Sequence, residues 1–314
     1  MQSRIQRITK IIYNLDEVTK KIMNNIPSGL SILTQFVELA NSNADISNPK
    51  ILEKLIMNYP SMKVYKKAHD GYVKKNNEDV NLNSLLYMNL LLADCQNFIA
   101  ANQSGFEETH KFRSGAIGKI SLRLIEITDE NLALLRNGYG TSVISNLRLM
   151  LESYAIAKYL MYSDDLESDR FQDFGIVQEC KMYDSDPKSK LGNKNYPESF
   201  LDPKNDFVWV SEKSIKAPVD FISLLKDDEI IKWYKFYCKY VHASPYSCGK
   251  VHQMNQDAIT NNNLYMPLKS KDIIIQNKYY LSLFIDLIAD NFITDKTFRE
   301  LFESISKVIY NFQK

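Results

Sequence analysis

An arginine and a glutamate one helical turn apart are the residues of this chain best suited to chemistry. Arg148 and Glu152 are the only charged residues between Ser142 and Ala157, and most of their neighbours are apolar. Positions four apart share one face of a helix, so the two side chains should lie one above the other. Arginine holds a phosphate or carboxylate bidentately, and glutamate orients such a group or acts as a general base.

A histidine completes the candidate catalytic set. His242 follows an aromatic helix, and an imidazole moves protons near neutral pH. We therefore predict that Arg148, Glu152 and His242 are catalytic. The competing interpretation is structural. A buried Arg148–Glu152 pair would fix the register of its helix, and His242 would stabilise the negative end of the helix dipole.

A zinc site is a further alternative at the same histidine. Each of two cysteines is followed four residues later by a histidine, and two cysteines with two histidines make a tetrahedral zinc set. The four residues are Cys238, His242, Cys248 and His252. Their spacing differs from the familiar zinc signatures, so the primary prediction contains no metal and no cofactor. The chain also has no P-loop, dinucleotide-binding glycine motif or serine nucleophile elbow, which argues against ATPases, dehydrogenases and α/β-hydrolases.

The elements that must position these residues are helical by periodicity almost everywhere. Thr141–Met161 is apolar on nearly all sides and predicts a central helix packed by several neighbours. A long helix over Glu107–Arg136, a tight turn and this central helix should form an antiparallel hairpin. Asp184–Asp206, with three prolines, predicts a long irregular loop. We expect an all-α multi-helix bundle around a buried central helix (about 141–161), with an N-terminal helical extension (1–104) and a core domain (105–314) that together form one continuous globular unit.

Composition restricts the class of protein. The chain has 314 residues, of which 45% are hydrophobic and 25% charged, and its net charge of +1 gives no overall basic surface for nucleic acid. Four cysteines in a chain of this length do not form a disulfide framework, which favours a reducing cytoplasm. Polar residues interrupt the most apolar segments, so we expect no membrane-spanning helix.

Three short patterns resemble a bacterial family known only as a domain of unknown function. They are LLRNGYGTSVISNLRLMLESYAIAKYL, then RFQDFG, then YKFYCKYVHASPYS, and together they extend over about Glu107–Ser247. The resemblance implies an all-helical bacterial protein with Arg148, Glu152, Arg170 and His242 at the motif positions. We assign substrate binding to Arg170, Tyr240 and Ser244.

The leading functional hypothesis is a cytoplasmic bacterial effector, a toxin or phage-defence protein, that acts on a phosphate-bearing substrate such as RNA. An arginine with a histidine would support metal-independent cleavage of RNA through its own 2′-hydroxyl. Helical nucleases of the higher-eukaryote-and-prokaryote nucleotide-binding class place an arginine four to six residues before a histidine, whereas here Lys239 and Lys235 precede His242. The alternative is a non-catalytic helical module that binds a ligand, a protein partner or a second copy of the chain.

Overall fold

The computed structural model describes residues 50–51, 53, 79–101, 110–136, 140–241 and 270–312. From residue 79 onward these ranges contain ten helices and no strand, which confirms the all-α prediction. The helices are α1 (Val80–Ala101), α2 (Lys111–Arg136), α3 (Gly140–Tyr162), α4 (Asp165–Met182), α5 (Pro187–Leu191), α6 (Glu198–Leu201), α7 (Pro218–Leu224), α8 (Asp228–Val241), α9 (Ser270–Phe292) and α10 (Lys296–Asn311).

Helix α3 is the centre of the bundle. It packs against α2, α7, α8 and α9. Its apolar positions are buried nearly all round the helix: Val143, Ile144, Leu147, Met150, Leu151, Tyr154, Ala155, Ala157, Leu160 and Met161. The prediction of a central helix over about 141–161 is therefore confirmed, with one more residue at each end.

Amide side chains, of which Asn131 and Asn277 are buried, join α3 to its two long neighbours. Asn131 of α2 accepts a hydrogen bond from Asn146 of α3 (2.8 Å) and donates one to Asn277 of α9 (2.6 Å). Asn277 in turn donates to the backbone carbonyl of Ile273 (2.8 Å). Residue 131, near the end of α2, meets residue 146, near the start of α3, so the two helices form the predicted antiparallel hairpin. A buried amide without partners would cost free energy, so this chain of bonds favours one register among three helices.

Helices α9 and α10 form a second antiparallel pair. The hydroxyl groups of Ser282 and Ser306 bond at 2.8 Å, and Lys278 donates to the carbonyl oxygens of Ile309 (3.2 Å) and Phe312 (2.7 Å). Those carbonyls lie at the end of α10, where the helix has no further N–H groups to satisfy them. Helix α1 packs against both helices and contributes to the same hydrophobic core.

The predicted irregular loop contains two short helices, α5 and α6, and it is anchored to α4. Lys194 bonds the carboxylates of Asp169 (2.6 Å) and Asp173 (2.7 Å), and the Tyr196 hydroxyl donates to Asp173 (2.6 Å). The ring of Tyr196 stacks on Phe200 with centroids 4.0 Å apart. Periodicity does not reveal helices of four or five residues, because they are too short to repeat a face.

Within the described ranges, no helix is both long enough and apolar enough to cross a membrane. The proposed N-terminal extension (1–104) lies mostly outside those ranges.

Candidate functional site

Helix α8 presents one face to the charged positions of α3. Its start is fixed by Asp227, whose Oδ1 accepts hydrogen bonds from the backbone N–H groups of Glu229 (2.9 Å) and Ile230 (3.1 Å). Tyr234 and Cys238 are four residues apart and therefore share a face. Tyr234 contacts position 152 and Cys238 interacts electrostatically with position 148, so α8 runs antiparallel to α3.

The predicted arginine–glutamate pair is present, and a tyrosine joins it. Arg148 Nε donates to Glu152 Oε1 at 2.8 Å, and the Tyr234 hydroxyl donates to the same oxygen at 2.8 Å. The guanidinium carbon lies 5.5 Å from the centroid of the Tyr234 ring, within the range of a cation–π contact. The side chains of Arg148 and Glu152 are 19% and 14% exposed, so the site is shielded but not sealed.

Burial and charge act in opposite directions on the arginine. Burial alone would lower the pKa of Arg148, but the hydrogen bond and the charge of Glu152 outweigh it and raise this pKa. Burial, together with the hydrogen bond to Glu152, raises the pKa of Tyr234. At neutral pH the site therefore holds a guanidinium and a protonated phenol, and each donates a hydrogen bond to the carboxyl group of Glu152.

Three of the five polar side-chain atoms of the pair have no hydrogen bond among the described residues. Among the described residues, Arg148 makes its hydrogen bond through Nε alone, and Glu152 accepts through Oε1 alone. The two Nη groups and Oε2 have no hydrogen-bond partner in the part of the chain that the structure describes, and the two side chains keep 19% and 14% of their surface exposed. An anion on the Nη groups and a hydroxyl donor on Oε2 would both satisfy free hydrogen-bonding capacity.

Two other predicted residues belong to α8. Cys238 is a free, half-buried thiol on the same face of α8 as Tyr234. Tyr240 is half-buried, and its ring packs on Phe236 with centroids 5.1 Å apart. The remaining predicted residues lie outside the described residues: His242, Ser244, Cys248 and His252. The catalytic assignment of His242 and the zinc alternative therefore stay predictions.

Arg170 donates hydrogen bonds to backbone carbonyl groups of a distant segment of the chain. Its Nε donates to the carbonyl oxygen of Trp209 (2.8 Å) and its Nη2 to that of Val208 (3.2 Å), while its guanidinium lies 5.9 Å from the centre of the Phe200 ring. These bonds tie the segment after α6 to α4. The structure thus places Arg170 in a different cluster from Arg148, and its predicted contact with substrate stays a prediction.

A buried carboxylate on the same helix fixes this segment too. Glu167 is 4% exposed, and its Oε1 accepts from the Tyr159 hydroxyl (2.9 Å) and the backbone N–H of Ser211 (2.6 Å). The sequence does not distinguish Glu167, because a glutamate in the first turn of a helix is usually a solvated end-charge. Only its distant partner reveals the role.

The segment that these residues hold forms one wall of a groove. The groove has a volume of about 480 Å³ and lies between α2, α3, α4 and residues 206–209. Its floor is mainly apolar and includes Ile156, Phe171 and Trp209. Lys119 and Arg123 line it from α2. A cavity of this size with a few polar groups is typical of a ligand-binding site.

Tyr234 is the residue of the pair's cluster that could not be predicted from local sequence. It is separated from Glu152 by 82 positions, and nothing local distinguishes it from the other aromatic residues of α8. Tyr234 and Cys238 are four residues apart on α8, as Arg148 and Glu152 are on α3. This equal spacing was the one indication in the sequence that the two helix faces could pair.

Comparison with known proteins finds one family model that matches part of the chain. Residues 116–259 match the model of a family described as a family of unknown function (DUF5677). The match contains Arg148, Glu152, Arg170 and His242, so the predicted resemblance to an uncharacterised domain family is confirmed. No curated protein and no solved structure matches the chain.

Proposed function

We propose that the protein is an effector that binds a phosphate-bearing ligand such as RNA at Arg148. The observation that carries the proposal is which polar atoms of Arg148 the ion pair uses. Glu152 fixes Arg148 through Nε, which leaves the Nη groups without a hydrogen bond among the described residues and able to bind a phosphate. A guanidinium held in place in this way loses less side-chain entropy when it binds.

Glu152 and His242 are the groups proposed to move protons. In metal-independent cleavage of RNA, a base removes the proton of the 2′-hydroxyl, and the resulting oxygen attacks the adjacent phosphorus. The 5′-oxygen of the next nucleotide leaves and takes up a proton from an acid, and a 2′,3′-cyclic phosphate remains. Oε2 of Glu152 is the free acceptor beside Arg148 among the described residues, and His242 directly follows α8 in the chain.

The biological setting forms part of the same proposal. We infer a cytoplasmic bacterial protein with a toxin or phage-defence role. The described cysteines Cys95, Cys180 and Cys238 are all free thiols, which is compatible with a reducing compartment. The link between compact helical proteins and defence is an analogy.

Induced expression in a bacterial host tests the proposal. Wild type is compared with His242→Ala and Arg148→Lys, each checked for folding by circular dichroism. Lysine keeps the charge of Arg148 but lacks the bidentate edge. We expect the wild type to arrest growth or block phage and to generate RNA ends with 2′,3′-cyclic phosphates, and we expect both folded variants to lack these effects. If the wild type has no such effect, or the variants retain it, the proposal fails.

The second candidate is a non-catalytic ligand-binding module, and the groove between α2, α3 and α4 favours it. The groove is a formed cavity held open by bonds from Arg170 and Glu167 to the segment after α6. In this case Arg148 and Glu152 stabilise the α3–α8 contact only. Substitution of Ile156 by tryptophan would fill the groove and abolish the biological effect, whereas Arg148→Lys would leave it intact.

A further inference from the structure

A second cavity, separate from the groove and from the ion pair, lies between the start of α8, the first half of α9 and the end of α10. Its volume is about 420 Å³, within the range of cavities that hold small ligands, roughly 300–1,000 Å³. The lining residues are Asp227, Glu229, Ile230, Trp233, Asp272, Ile275, Gln276, Tyr279, Tyr280 and Tyr310. Four of these ten are aromatic and three carry a carboxyl group.

Tyr279 joins the three tyrosine rings of the lining into one wall. The centroid of Tyr279 lies 5.6 Å from that of Tyr280 and 6.1 Å from that of Tyr310. Trp233, on α8, is 36% exposed and lines the same cavity. Aromatic faces carry negative partial charge, so a wall built from them attracts a cation that has partly shed its water.

The charge of the lining has the same sign throughout. Among the described residues, no lysine, arginine or histidine lines this cavity, whereas Asp227, Glu229 and Asp272 do. Asp227 uses Oδ1 to cap α8. The carboxylates act on Tyr279: burial raises the pKa of this residue most, and the charge of Asp227 is the next cause.

We propose that this cavity binds a small organic ammonium ion. The aromatic faces favour a cation with a diffuse, weakly hydrated charge, and the carboxylates exclude anions. An inorganic cation would lack a compact set of ligands here, because within the described residues no group of three or more acidic, histidine or cysteine side chains converges to hold a metal. This site is independent of the phosphate site proposed at Arg148, because Tyr234 faces α3 while Trp233, the preceding residue, faces the cavity.

The experiment is calorimetric titration of the full chain with choline, and with 3,3-dimethyl-1-butanol as its neutral isostere. We expect saturable binding of choline and none of the isostere. Trp233→Leu should weaken choline binding by about tenfold or more, as expected when a desolvated cation–π contact is removed. Trp233 is partly exposed, so this change leaves folding intact, which circular dichroism verifies.

Charge variants inside and outside the cavity distinguish a specific binding site from general electrostatic attraction of a cation. Glu229 and Asp272 are both exposed, and Glu229→Gln with Asp272→Asn removes two charges from the lining. Asp228 is the matched control, since it lies in the same first turn of α8 but does not line the cavity. We expect the double variant to weaken choline binding by about tenfold, and Asp228→Asn to change it little. Equal binding of choline and its isostere, absence of binding by the folded wild type, or an unchanged affinity in the double variant would overturn the proposal.

Discussion

Removing Arg148 alone should destabilise the protein, and neutralising Glu152 as well should restore most of the stability. Arg148→Met leaves Glu152, which is 14% exposed, with the Tyr234 hydroxyl as its one described partner. A carboxylate that is mostly buried and no longer has its cation incurs a desolvation cost without compensation. Adding Glu152→Gln removes that charge and keeps an oxygen that accepts from Tyr234.

The burial of the pair sets the magnitude. Breaking a fully buried pair costs about 3–5 kcal/mol, whereas exposed pairs contribute about 0.2–1 kcal/mol. The Arg148–Glu152 pair is four-fifths or more buried, and Glu152 retains one hydrogen bond. We therefore expect Arg148→Met to cost about 2 kcal/mol, or roughly 4–8 °C in Tm for a body of this size. The double variant should lie within about 1 kcal/mol of wild type, because an apolar replacement of a buried pair is often neutral.

Urea unfolding at pH 7, followed by circular dichroism, measures these differences for the wild type, the two single variants and the double variant. The decisive quantity is the coupling free energy between positions 148 and 152. If Arg148→Met leaves the free energy of unfolding unchanged, the pair is a surface bridge. If the double variant is as unstable as the two single changes added together, Glu152 does not carry a buried charge.

Two further predictions concern the pH dependence of stability. Burial lowers the pKa of Lys278 from 10.5 to about 8; the unfolded chain binds the proton more tightly, so stability rises as pH increases between these values. In Lys278→Met that rise, on the order of 3 kcal/mol, should disappear from urea unfolding curves, and an equal rise in both proteins would contradict it. Burial raises the pKa of Asp286 from 3.8 to about 6; here the folded protein binds the proton more tightly, so stability falls as pH rises through this range. Asp286→Asn should abolish that fall and unfold at a higher temperature at pH 7, and an unchanged pH profile would refute the assignment.

Local sequence patterns were enough to predict the central helix and its ion pair. Thr141–Met161 is apolar on nearly all sides, and an isolated arginine and glutamate four residues apart on such a helix have few partners but each other. The helix and the bond between Arg148 and Glu152 are both present. The hairpin of α2 and α3 followed in the same way from two long periodic segments separated by a glycine-containing turn.

Contacts between distant segments could not be predicted. Tyr234 meets Glu152, and Asn131 meets Asn277 across 146 positions, only once the helices have packed. Arg170 was singled out by a motif, but its role as an anchor for residues 208–209 depends on where that segment folds. Helix α7 was missed because seven residues hold less than two full turns of periodicity.

The central claim is that Arg148 contacts a phosphate, and RNA binding by a folded variant without that arginine tests it most directly. Fluorescence anisotropy with a single-stranded RNA compares wild type with Arg148→Met/Glu152→Gln, whose net charge is unchanged. Lys307→Met/Glu303→Gln, made in a more exposed i,i+4 pair on α10, is the matched control. We predict that the first double variant binds about tenfold or more weakly, while the control matches wild type. Its salt dependence should be shallower by about 0.7 for each phosphate that Arg148 neutralises in the wild type. Equal affinity in the wild type and the folded Arg148 variant, or no binding by the wild type, would contradict the account.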